Sequence, residues 1–148
     1  MTDLDDIYNT RILELAANIA RLERLAHPQA TQSARSKLCG SEISVDLNLA
    51  HGRVSDYGQT VKACLLGQAA ASVVGREIVG ATPDEVRAVA KTMRGMLKEN
   101  GPPPPGNWSD LGVLAPVRDY KHRHDAVMIV FDAVTKALDD IEAKATVS

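Results

Sequence analysis

The stretch "EISVDLNLAHGRVSDYGQTVKAC", Glu42 to Cys64, carries the clearest pattern in the chain. Ile43, Val45, Leu47 and Leu49 alternate strictly with Ser44, Asp46 and Asn48, the period-two signature of a strand with one buried face. His51 and Gly52 read as a turn. The residues after them alternate less cleanly, with Tyr57, Val61 and Ala63 as the inward set, so the pair forms an antiparallel hairpin. With a two-residue loop, cross-strand partners have numbers that sum to 103, and Cys39 and Cys64 satisfy that sum. Setting Tyr57 and Val61 on the face of Ile43 to Leu49 needs a sum of 102 instead, through a three-residue loop with a bulge at Gly52. Either register brings the two thiols to the open end of the hairpin.

Outward from the hairpin the chain is mostly helical. Tyr8, Ile12, Leu15, Ile19 and Leu22 recur at helical spacing and predict one amphipathic helix from Leu4 to Leu25, ending before Pro28. The polar run from Thr31 to Lys37 is compatible with an extended segment. After Cys64, "LLGQAAASVVGREIVG" is rich in small residues and predicts a tightly packed, buried helix. "TPDEVRAVAKTMRGMLKENG" carries a full set of helix signals: Thr82 as N-cap, Pro83 at the first position, Glu85 completing a capping box, and Gly101 as the stop. "GPPPPG", Gly101 to Gly106, reads as a stiff surface connector. Val127, Phe131, Val134, Leu138 and Ile141 mark the face of a last helix, with His124 near its start.

A chain of 148 residues with 45% hydrophobic and 24% charged residues reads as one domain, 1–148, able to bury a core without disulfides. A net charge of −2, one Trp and one Phe provide neither the basic footprint nor the stacking platforms of a nucleic-acid binder. No apolar run is long enough to span a membrane, and the start "MTDLDDIYN" is acidic where a signal peptide is basic. The expectation is a cytoplasmic protein with no membrane partner, in which two cysteines are free thiols, metal ligands or reactive groups rather than a disulfide.

Cys64 stands where strand gives way to helix, so backbone amides and the positive helix end favour its thiolate. Gly40 after Cys39 lets the chain turn sharply. Two thiolates do not complete a four-ligand site. Ser41, Glu42, His122, His124 and Asp125 are the candidates for the remainder; His122 and His124, two apart, point in different directions on one helix, and His124 is the better placed. Arg35, Lys37 and Lys62 flank the cysteines as solvated cations.

A Cys-Gly pair entering a hairpin (Cys39-Gly40), a second cysteine at the strand-to-helix junction before an Ala/Ser-rich helix (Cys64), and a long terminal helix resemble the IscU/SufU/NifU-type iron–sulfur cluster assembly scaffolds. The likeness runs from "IYNTRILELA" near Ile7 to "FDAVTKAL". It implies an α+β fold, with a small three-stranded antiparallel sheet covered by about four or five helices. It also implies a site at which Cys39 and Cys64 receive persulfide sulfur from a cysteine desulfurase and hold iron or a [2Fe–2S] cluster, or zinc, for delivery to apo iron–sulfur proteins. Where the family commonly has Cys-Gly-Asp this chain has Ser41, and Ala126 stands where the family places a third cysteine. On the resemblance, His124 or Asp125 is the substitute metal ligand. The expected function is a non-enzymatic scaffold or sulfur acceptor. The alternative is a zinc-holding or metal-free protein that docks or regulates a desulfurase; a hydrolase using Cys64 with His124 ranks last, for want of a nucleophile motif.

Overall fold

The hairpin is the centre of the sheet. The computed structural model describes residues 9–37 and 40–147, and Leu38, Cys39, residues 1–8 and Ser148 lie outside the described residues. Strands β1 (Ala30–Arg35), β2 (Glu42–Ala50) and β3 (Arg53–Lys62) pair antiparallel in the order β1-β2-β3. Four α-helices accompany them among the described residues: α1 (Thr10–Ala17), α2 (Leu65–Glu77), α3 (Pro83–Lys98) and α4 (His124–Val147). Two 3-10 segments, Gly106–Asp119 and Lys121–Arg123, link α3 to α4. The architecture is the expected α+β fold.

Helix α4 packs across β1 and β2, and α2 packs on β3 and against α4. The core between them is the alternating set Ile43, Val45, Leu47 and Tyr57 together with Ala69, Ala70, Val73, Val127, Phe131 and Val134. Small side chains on α2 let the helix approach its neighbours closely, as its composition predicts. Helix α1 packs on α2, and α3 lies outside α4 with the long 3-10 segment beside it.

The hairpin register combines both features expected from the sequence and matches neither sum throughout. His51 and Gly52 form a two-residue turn with both φ angles positive, so Ala50 pairs with Arg53 and Leu49 with Val54. A bulge between Asn48 and Leu49 then shifts the pairing, and Leu47 opposes Tyr57 while Ile43 opposes Val61. Tyr57 and Val61 thus share the inward face, because β3 carries one extra residue rather than because the loop lengthens. Partners beyond the bulge have numbers that sum to 104 rather than 103, which would set position 64 level with 40, one short of 39, and regular pairing ends at Glu42 and Lys62.

The first helix is shorter than its periodicity predicts. It ends at Ala17, the predicted turn from Leu4 to Tyr8 lies outside the described residues, and Leu22 is 53% exposed. Beyond Asn18 the backbone bonds to other elements instead of itself. The Asn18 carbonyl accepts from Ser72 Oγ, the Ala20 carbonyl from Gln59 Nε2, and the Arg21 carbonyl from the Gln59 amide. These tertiary partners replace the helical ones, and residues 18–25 become a strap along the free edge of β3.

The outward face of β2 is less exposed than the alternation suggests. Asp46 is 2% exposed beneath the strap. Arg24 binds it through Nε and Nη2 at 2.7 Å each, and the Leu25 amide and Thr31 Oγ1 donate at 2.9 and 2.6 Å. Four hydrogen bonds to the ionised form, led by those from Arg24, lower the Asp46 pKa to about 2.

The α3 capping box is half-formed. Thr82 Oγ1 accepts from the Glu85 amide at 3.1 Å, but the Glu85 carboxylate accepts from Trp108 Nε1 at 2.9 Å instead of reaching back to the cap. Trp108, Leu111, Leu114 and Val117 are all buried, and their three-residue spacing matches the three residues per turn of the 3-10 segment that carries them. Pro104 of the proline run is also buried.

Candidate functional site

Cys64 is the N-cap residue of α2, with extended backbone at φ −68° and ψ 173°. Its side chain makes no capping hydrogen bond, it is half-buried, and it is the free thiol among the described residues. The Cys64 carbonyl accepts from the Gln68 amide, which starts the helix, and its own amide donates to Ser41 Oγ at 3.2 Å. The thiol is therefore held at the amide-rich end of α2 while another residue satisfies its backbone.

Cys39 lies outside the described residues, but the base of its loop does not. The Ser36 amide donates to the Ser41 carbonyl at 2.8 Å, and the Gly40 amide donates to the Ser36 carbonyl at 3.1 Å. Gly40 has φ 72°, the left-handed conformation that a sharp turn after Cys39 requires. Ser41 is 4% exposed and Ser36 1%. The Ser36 hydroxyl has no hydrogen-bond partner among the described residues. The loop that carries Cys39 is pinned at Ser36 and Ser41, and Ser41 in turn bonds to the residue that carries the second thiol.

Position 126 also belongs to this end of the fold. A Cβ placed on Gly67 would stand 3.0 Å from the Ala126 carbonyl oxygen, so the first turns of α2 and α4 are in close contact at a glycine. Ala126 is 2% exposed. The position at which the resemblance places a third cysteine is thus packed against the helix that Cys64 begins, and an alanine fills it.

The other sequence candidates are placed differently. His124 is the first residue of α4 and 5% exposed, and its Nε2 donates to the Arg118 carbonyl at 3.0 Å. A carbonyl only accepts, so Nε2 carries the proton, and Nδ1 is the ring nitrogen that keeps a lone pair. The ring lines a cleft with Leu97 and Lys98 at the end of α3. Asp125, His122 and Glu42 lie at the surface or half-buried, and Glu42 pairs with Arg35 at 2.8 Å. Among the described residues no three His, Cys, Asp or Glu side chains converge to hold a metal ion, so Cys64, His124 and Asp125 are not gathered into one ligand set. No helix of the described residues is long and apolar enough to cross a membrane.

The bond from the Cys64 amide to Ser41 is not legible in the sequence, where Ser41 stands only as a candidate ligand. A serine two residues after the first cysteine was the available signal, but its partner lies 23 residues away across the hairpin.

No protein-family model matches the chain, and no curated protein does. Solved structures do. A nitrogen-fixing NifU-like protein (N-terminal) from Brucella abortus is 50% identical, covering 95% of this chain and 98% of its own, with a TM-score of 0.93. A protein assigned as an iron–sulfur cluster assembly scaffold of the SUF system, from Fervidobacterium islandicum AW-1, has a TM-score of 0.83. At 16% identity over 92% of this chain and 99% of that one, it shares the fold. Half the residues are identical along nearly the whole length of the Brucella protein, and the chain belongs to the NifU-like branch of the IscU/SufU/NifU-type family.

Proposed function

We propose that this protein is an iron–sulfur cluster assembly scaffold or sulfur acceptor, with Cys64 and Cys39 as the thiols that take up sulfur and hold iron. The observation that carries this reading is the 50% identity to the NifU-like protein along 95% of the chain. The setting of Cys64 supports it: a half-buried thiol, free of capping duty, at the start of a 13-residue helix. In the sulfur-transfer step the Cys64 thiolate attacks the terminal sulfur of a persulfide on a cysteine desulfurase. A new S–S bond forms on Cys64, the desulfurase S–S bond breaks, and its cysteine leaves as a thiolate. Iron and sulfide are cargo in this scheme, destined for apo iron–sulfur proteins.

The test is anaerobic reconstitution with iron, sulfide or a desulfurase, and cysteine. Visible absorption bands or sulfur loading that disappear in Cys39→Ser and Cys64→Ser are expected; neither bands nor sulfur loading in the parent protein overturns the reading.

Ala126 favours one second reading. With alanine at that position, the chain suits a protein that docks or regulates a desulfurase without carrying a cluster, with zinc or no metal bound. Metal analysis of the purified protein separates the two: iron with sulfide supports the scaffold, and stoichiometric zinc supports the alternative.

A further inference from the structure

A cleft of about 330 Å³ opens between the last turn of α3 and the start of α4, lined by Leu97, Lys98, Arg118, Lys121 and His124. Three of the five lining residues are cations and none is acidic, in a protein whose net charge is −2. Lys98 by itself has an ordinary explanation, since a cation in the last turn of a helix complements the negative helix end. Arg118 does not. Its Nε donates to the Ala115 carbonyl at 2.9 Å and its Nη1 to Asn100 Oδ1, two neutral acceptors that hold the guanidinium plane. The third nitrogen, Nη2, has no acceptor among the described residues, and no carboxylate pairs with the group. The buried His124 ring, bonded to the Arg118 carbonyl, fixes the same residue from its backbone side.

A fixed guanidinium with one free donor edge, flanked by two lysines, is the arrangement that recognises an oxyanion. The volume sits at the lower end of the range for small-ligand sites, about 300–1,000 Å³, and suits a compact molecule rather than a peptide segment. We propose that this cleft binds a small polyanion through a phosphate or carboxylate group, with Arg118 as the orienting contact and Lys98 and Lys121 supplying charge. The site is separate from the thiols and does not rest on the scaffold reading.

Calorimetric titration at low ionic strength, where exposed charges are least screened, tests it with inorganic phosphate and with citrate as probes, each against chloride at matched ionic strength. Saturable binding of either probe is expected, with amide shifts confined to residues 97–98 and 118–124; the probe that binds more tightly identifies the headgroup as phosphoryl or carboxylate. Affinity should fall roughly tenfold or more in Arg118→Gln. It should fall likewise in the Lys98→Gln/Lys121→Gln double variant, which alters only exposed side chains and leaves the fold intact. Cys64→Ser should bind as the parent does. No saturable binding beyond chloride, or parental affinity in both variants, overturns the proposal.

Discussion

Ser41 Oγ accepts the backbone N–H of Cys64 at 3.2 Å, joining the loop that carries one cysteine of the chain to the residue that carries the other. The bond crosses the open end of the hairpin, beyond the last regular pair of β2 and β3. It ties Ser41 to Cys64 where the ladder has ended. The first prediction follows from this. Ser41→Ala leaves the Cys64 amide without its acceptor in a part-buried setting, at a cost of about 1–3 kcal/mol. Denaturant unfolding should show that loss, and hydrogen exchange should show faster opening at Cys64 with little change in the centre of α2.

The buried Asp46 predicts acid sensitivity with a definite sign. Its pKa falls from 3.8 to about 2 on folding, chiefly through Arg24. The folded value lies below the unfolded one, so the contribution is complete above about pH 4 and is lost as pH falls toward 2. Its size is on the order of 2 kcal/mol. Urea unfolding between pH 5 and pH 2 should show this decline, and Asp46→Asn should flatten it while lowering stability at pH 7.

Two glycines predict opposite outcomes on substitution by alanine. A Cβ on Gly58 would stand 2.3 Å from the Glu23 carbonyl oxygen, so Gly58→Ala must push the strap off β3, at a cost of roughly 1–3 kcal/mol or more. Gly95 lies inside α3 with nothing within 4 Å of the same point, so Gly95→Ala should stabilise by about 0.5–1 kcal/mol through helix propensity alone. Thermal melts of the two variants should move in opposite directions.

The single tryptophan makes the contact between α3 and the 3-10 segment directly observable. Glu85→Ala removes the acceptor of Trp108 Nε1 while the ring is buried. The expected result is a loss of about 1–3 kcal/mol and a shifted fluorescence maximum, with Glu85→Gln recovering part of both.

Hydrophobic periodicity alone carried much of this fold. The alternation from Ile43 to Leu49, the turn at His51 and Gly52, the small-residue helix after Cys64 and the Thr82-Pro83 helix start are local patterns, and local geometry realises each of them. The three-residue spacing of Trp108, Leu111, Leu114 and Val117 is equally local, but 3-10 segments of such length are uncommon and the spacing alone does not announce one. The order of the cysteines along the chain also sufficed to suggest the family.

What only the tertiary structure decided are the places where a local preference met a stronger distant partner. Helix α1 stops at Ala17 because Ser72 and Gln59 take the carbonyls that the next turn would have used. Asp46, polar by alternation, is buried because Arg24 folds over it. The His124 ring is oriented by its Nε2 bond to the Arg118 carbonyl. Ser41, weighed as a ligand on its own, bonds to the Cys64 backbone. Each outcome depends on a group six to 54 residues away, and a period of two or 3.6 residues contains no information at that range.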